Sequence, residues 1–239
     1  MDAQAGTALD RARVRRAVQR GPRLALARAA GAVQPEARSP RPGTRRCGHR
    51  PLAQAHLAGA KKNAARQGRL IVFIDESGLS ERPTRVRTWG VRGETPIVQF
   101  HFNWHQLSLI AGMHFTGLCF RLHEGAIAKE QVVAFLQALL AHFRRPLLIL
   151  WDSSRPHRSH LVRDYVSSTA GRIRLHFLPG YAPELNPVEF LWGWLKRHAL
   201  ANFCPDTFAE LRHTTRGKLR SAQRRSVIIA SCWQQAELF

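Results

Sequence analysis

The rhythm of apolar and polar positions changes near position 70. From Leu70 to Asp75 the chain runs LIVFID, a short unbroken apolar run of the kind buried at the centre of a sheet, closed by an acid. LLILWD, from Leu147 to Asp152, repeats that form. Between them QLSLIAGMHF and GLCFRLHEG meet at Thr116-Gly117, which predicts a hairpin. AKEQVVAFLQALLAHF, Ala128 to Phe143, sets Val132, Phe135, Leu136, Leu139, Leu140 and Phe143 at helical spacing, and Pro146 ends the pattern. RSHLVRDYVSS reads as a short helix and IRLHFLP as a third core strand. NPVEFLWGWLKRHAL opens another helix, with Asn186 as N-cap and Pro187 in the first position. Further helical patterns occupy 206–223 and 226–238. Strands alternating with helices predict an α/β domain over 70–239.

Upstream the pattern is different in kind. Residues 1–70 contain no Phe, Trp, Tyr or Ile. Residues 1–50 carry twelve Arg and no Lys, with only Asp2, Asp10 and Glu36 as acids, and Pro22, Pro35, Pro40 and Pro42 interrupt any long helix. A stretch with so little apolar surface cannot offset the entropy of ordering, so 1–52 is expected to be a loose basic arm. AQAHLAGAKKNAARQG then has good helix formers and Gly68 as a stop, which makes 53–69 a linker helix.

Charge narrows the class of partner. With 37 Lys and Arg against 16 Asp and Glu, the formal net charge is +21. An excess of that size favours a polyanion, and DNA or RNA gains affinity through counterion release at each neutralised phosphate. No long amphipathic basic helix suggests a membrane surface, no apolar run is long enough to span a bilayer, and the N-terminus lacks a signal-peptide core. The expected location is therefore the cytoplasm, at the nucleoid when DNA is bound. Cys47, Cys119, Cys204 and Cys232 are scattered, with no C-x-x-C pair, and read as incidental reduced thiols.

In so basic a chain the placement of acids is informative. Asp75 and Asp152 each close one of the most apolar strands, where side chains reach solvent from a rigid backbone. Glu189 lies in the first turn of the helix opened by Asn186-Pro187, with enough chain after Asp152 to return to the same sheet edge. Three carboxylates meeting there would suit hard divalent cations. Each also has a plainer reading: a strand-end Asp as a turn residue, Glu189 as a complement to the helix dipole. Glu76 is expected on the opposite face from Asp75 as a solvated or structural acid. Glu184, in the PGYAPELNP loop, is the rival third ligand, disfavoured because a helix holds a ligand more rigidly. His157 either contacts a phosphate or holds Asp152, or simply makes a local hydrogen bond at a helix start. Arg155, Arg158 and Arg163 read as solvated, yet are placed to meet a DNA backbone. Trp192 reads as core, while Trp89 and Trp104 stay open between packing and base stacking.

FIDESGLSERPTRVRTWGVRGETP, LLILWDSSRPHRSH and FLPGYAPELNPVEFLWGWLKRHAL resemble the mariner-related transposases of bacterial insertion sequences, from about Leu70 to the C-terminus. The resemblance implies a ribonuclease-H-like mixed sheet flanked by helices. It also implies an acidic triad on Asp75, Asp152 and Glu189 that binds two Mg2+ or Mn2+ ions, and a multimer, here taken as a homodimer. The expected activity is cleavage and strand transfer of DNA at inverted repeats and target sites, with no small-molecule substrate. Around that triad His157, Arg155, Arg158, Asn186 and Trp89 are the supporting or DNA-contacting candidates. Ser153 stands where the family has Asn or Gly after the second aspartate. Residues 1–50 lack the apolar spacing of the helix-turn-helix modules that precede this domain in relatives, so loss of that region is expected, with inactivity as one consequence. Two alternatives stay open: an inactive DNA-binding remnant, and a ribonuclease-H-like nuclease with another nucleic-acid substrate.

Overall fold

The computed structural model describes residues 50–90, 97–100, 105–179 and 183–236. The arm expected over 1–52 falls, up to residue 49, outside the described residues. Helix α1, Arg50–Arg66, overlaps the linker helix expected over 53–69, starting and ending three residues earlier. Gly68 ends it as expected, in the left-handed conformation at φ 61°, while the Arg69 amide reaches back to the Ala64 carbonyl at 2.9 Å.

The rest is one sheet with helices on both faces. In chain order the elements are β1 Leu70–Ser80, β2 Gln106–His114, β3 Gly117–Glu124, α2 Lys129–His142, β4 Leu147–Trp151, α3 His160–Ser168 and β5 Ile173–Phe177. A 3-10 turn Pro183–Leu185, α4 Pro187–Trp194, a π-helical turn Leu195–Ala199, α5 Phe208–Gln223 and α6 Ser226–Gln235 complete it. The sheet order is β3-β2-β1-β4-β5. β1 pairs antiparallel with β2 and parallel with β4, and β4 pairs parallel with β5. The hairpin predicted at Thr116-Gly117 is the β2–β3 pair, closed at His114 opposite Gly117.

Strand alternation divides the apolar residues into two layers. Val72, Ile74, Leu147, Ile149 and Trp151 face α2 and α3, against Val132, Phe135, Leu136, Leu139 and Val162. Phe73, Leu107, Leu109, Leu148 and Leu150 face the C-terminal helices, against Leu191, Trp192, Leu211, Leu219 and Trp233. Each side chain so buried contributes roughly 1.5–3 kcal/mol of hydrophobic stabilisation. β4 is buried along its whole length, as its unbroken apolar run requires.

Two expectations change. β5 is an edge strand in which only Ile173 is buried, so it is not a third core strand; its other residues are partly or largely exposed. β1 does not stop at Asp75: it pairs with β2 as far as Ser80 opposite Gln106. Beyond β1 the chain is stitched to the end of the π-helical turn, where Asn202 accepts from the Val86 amide at 2.9 Å and donates to the Val86 carbonyl at 2.8 Å. Among the described residues no helix is long and apolar enough to cross a membrane.

Candidate active site

Asp75 sits inside β1, at the point where that strand loses one neighbour. The β1–β4 ladder runs from Leu70 opposite Leu147 to Phe73 opposite Leu150. Alternation gives Asp75 the parity of Phe73, which packs on the α4–α6 side. Asp75 is on that face, and Asp152, one residue past β4, is at the same carboxyl end of the parallel pair, the place where such sheets carry their functional groups.

Helix α4 comes to that face through its own first residues. Asn186 is the N-cap: its Oδ1 accepts from the Val188 amide at 3.1 Å. Its Nδ2 donates to the Ile74 carbonyl at 3.3 Å, so the helix start is bonded to the residue before Asp75. Asn186 is 3% exposed. Buried there, it braces the start of α4 against β1. Three residues on, Glu189 lies in the first turn with its amide on the Asn186 carbonyl at 3.1 Å. One turn further, the Trp192 indole Nε1 donates to Asp75 Oδ2 at 2.8 Å. Trp192 is core, as expected, and it is also the hydrogen-bond partner of the first acid.

The electrostatics tie the acids to one another. Burial raises the Asp75 carboxyl to about 8, with the charges of Glu189, Glu76 and Asp152 adding to the rise and the Trp192 bond opposing it. Glu189 is exposed as a side chain, yet partial desolvation raises its carboxyl; the Lys196 ammonium pulls it down and Asp152 pushes it up. Lys196 lies in the π-helical turn two helical turns after Glu189. Its basic character alone gave no sign of this partner.

Asp152 is held differently. It follows β4 on an open turn, and its side chain is 57% exposed. Its Oδ1 accepts from the Ser154 amide at 3.1 Å and lies 2.7 Å from His157 Nδ1, as an ion pair. The hydrogen bond from His157 lowers the Asp152 carboxyl more than partial burial raises it. His157 is fully buried, stacked on Trp151 with centroids 4.1 Å apart and planes 5° from parallel. Its Nε2 donates to Glu76 Oε1 at 2.8 Å. Burial would lower the imidazole, but the bonds to Asp152 and Glu76 outweigh it and raise it to about 9. Nδ1 also lies 3.2 Å from the Asp152 carbonyl oxygen, so His157 makes the local hydrogen bond of a helix-start histidine as well as meeting the Asp152 carboxylate. Glu76 faces away from Asp75 as alternation requires, but it is bonded rather than merely solvated.

The other candidates spread outward. Arg155 and Arg158 are exposed on the turn between Asp152 and α3. Trp89 is 97% exposed on the β1–β2 connection. Glu184 is exposed in the 3-10 turn. Trp104 lies outside the described residues. Among the described cysteines Cys119, Cys204 and Cys232 are free thiols. Among the described residues no group of three or more Asp, Glu, His or Cys side chains is gathered closely enough to hold a metal ion as it stands.

A mixed five-stranded sheet with acids at the carboxyl end of its parallel pair and helices on both faces defines a ribonuclease-H-like domain. Solved structures share that fold at low identity. The Mos1 strand transfer complex matches with a TM-score of 0.58 at 18% identity, over 95% of this chain and 65% of that one. The mariner Mos1 paired end complex with Mg matches at 0.59 and 18%, over 95% and 68%. The catalytic domain of Mos1 mariner transposase matches at 0.55 and 16%, over 83% and 94%. The sequence profile of the DDE superfamily endonucleases matches residues 70–212, more than half of the chain, and the chain belongs to that family. It spans 65% of the length of the transposase chain in the strand transfer complex. No curated protein matches it in sequence.

Proposed function

We propose that this chain is a DNA transposase catalytic domain of the DDE type, cleaving phosphodiesters and transferring strands with Asp75, Asp152 and Glu189. The observation that carries the reading is the meeting of the first two acids at the carboxyl end of the parallel β1–β4 pair, with Glu189 on a helix start bonded to β1. The donor set fits Mg2+ or Mn2+: three carboxylates are the ligands hard divalent cations prefer. Their mutual repulsion, which helps hold Asp75 at about 8, is what a bound cation cancels. Bound there, a pair of such ions would supply Lewis-acid and charge-clamping chemistry at the scissile phosphate.

The chain's own residues orient the groups. The Trp192 indole fixes one oxygen of Asp75 and leaves the other to the site. His157 and the Ser154 amide fix Oδ1 of Asp152. Asn186 locks the first turn of α4, and so Glu189, to β1. Arg155 and Arg158, exposed beside Asp152, contact the phosphate backbone and set its register without reading sequence. The substrate is DNA, both inverted repeats and target, and a homodimer is the acting form. The net charge of +21 supports the polyanion substrate.

The test is nicking of supercoiled plasmid in Mg2+ or Mn2+ by the wild type and Asp152→Asn. The wild type nicks and the variant does not, while both bind DNA. Equal nicking by both overturns the assignment, and no nicking by the wild type supports an inactive DNA-binding remnant. Preference for inverted-repeat ends over random DNA separates a transposase from a nuclease with another substrate.

A further inference from the structure

Asp152 has a positioning problem that Asp75 does not. It lies past the end of β4 on an open turn, more than half exposed, with no strand neighbour to fix its rotamer. The Ser154 amide and His157 both meet its Oδ1, and His157 is itself held from several sides, its Nδ1 also 3.2 Å from the Asp152 carbonyl oxygen. The Trp151 ring stacks on it, its Nδ1 sits 2.7 Å from Asp152 Oδ1, and its Nε2 sits 2.8 Å from Glu76 Oε1. Both ring nitrogens therefore lie within hydrogen-bond distance of a carboxylate oxygen, one on each side of the ring. Glu76 is thus the anchor that sets the ring's orientation, and it comes from β1, the strand that carries Asp75.

We propose that Glu76 is a positioning residue of the carboxylate site: through His157 it fixes the Asp152 carboxylate and thereby the site's hold on a divalent cation. The proposal rests on the reading of Asp75, Asp152 and Glu189 as cation ligands. Alternation in β1 makes the division of labour. Asp75 points to the α4 face, and Glu76 points to the opposite face, where Trp151 and His157 lie. Glu76 therefore does not join the three acids. It reaches them around the end of β4, by way of a buried ring. The ring and Ser154 bonds both fall on Asp152 Oδ1, so Oδ2 is the oxygen the site can offer to a cation. Hydrogen-bond partners that orient metal-ligating side chains typically carry a 10–100-fold effect on affinity.

The experiment uses the full chain and compares wild type, Glu76→Ala and Glu76→Gln. Free Mn2+ is read by electron paramagnetic resonance during titration, and thermal melting is recorded beside it. Glu76→Ala is expected to weaken Mn2+ binding by about 10–100-fold. Glu76→Gln keeps an acceptor but loses the charge, and is expected to weaken it less, with a melting temperature close to wild type. The same order is expected in the Mn2+ concentration for half-maximal nicking, with the rate at saturating Mn2+ less affected. Mn2+ binding by Glu76→Ala equal to the wild type overturns the proposal. If Glu76→Ala does not fold, Glu76→Gln decides: weaker binding in a folded protein supports the proposal, and wild-type binding overturns it. A wild type that binds no Mn2+ overturns the underlying site reading itself, and is seen before any variant is compared.

Discussion

Asp75 lies within β1 and Asp152 just past the end of β4, and they are kept in place by opposite means. Asp75 is within a strand paired on its β2 side, nearly buried, its carboxyl bonded to an indole from the core. Its backbone position follows from the ladder and its rotamer from one neutral donor. Asp152 has left its strand, is exposed, and is bonded to a backbone amide and a buried imidazole whose far side meets another carboxylate. The consequence is electrostatic. Burial and neighbouring acids raise the first carboxyl, while the hydrogen bond from His157 lowers the second. One acid is fixed by the fold at a cost in ionisation; the other ionises readily and depends on side chains for its orientation.

Trp192→Phe probes the first arrangement with the largest expected effect. The ring volume is largely kept and the Nε1–Asp75 bond is lost. Leaving a buried carboxyl without its donor costs about 1–3 kcal/mol of stability, and loosening Asp75 is expected to lower the rate of metal-dependent nicking by roughly 10–100-fold. Chemical denaturation and a nicking time course measure the two. A wild-type rate in Trp192→Phe breaks the claim that this bond orients Asp75.

The second probe sets the acids against each other through pH, without metal. Asp75 is raised from 3.8 to about 8 in the folded protein. Its favourable contribution is complete below the ordinary carboxylate value and disappears as pH rises through about 8. Asp75→Asn in a chelating buffer should therefore melt a few degrees above the wild type at pH 8, a shift of about 3–6 °C, with little difference at pH 4. Asp152 is lowered, so its contribution is present above the ordinary carboxylate value and is lost as pH falls through its folded value. Asp152→Asn should melt below the wild type at neutral pH, and the gap should close in acid. Shifts of the same sign for both variants would erase the contrast.

The smallest effect belongs to the arginines beside Asp152. Arg155→Ala and Arg158→Ala should each reduce the slope of log affinity against log salt by about one unit for DNA, leaving the melting temperature unchanged. Fluorescence anisotropy across a salt series measures the slope, and an unaltered slope in both removes this turn from the DNA interface.

Much of this arrangement is legible in the sequence because apolar runs carry it. LIVFI and LLILW mark the parallel pair, and the acid after each marks the face; Asn186-Pro187 marks the helix start and so Glu189. What stayed hidden depends on pairing between distant segments. β1 continues through Asp75 because β2 pairs with it, and no local signal in ESGLS announces that partner. β5 reads as apolar but ends at the sheet edge, a matter of strand order rather than composition. Trp192 has the same apolar spacing whether or not its indole meets Asp75. Glu76 and His157 become neighbours only through the β1–β4 register, which alternation alone does not fix.

Asp75, Asp152 and Glu189 are proposed to share one cation site. The most direct test is Mn2+ binding by calorimetry to the wild type and to Asp75→Asn, Asp152→Asn and Glu189→Gln. Each single change is expected to weaken binding by at least about tenfold, a loss of about 1.4 kcal/mol, in proteins that remain folded. Wild-type affinity in any one of the three would remove that residue from the site and contradict the account.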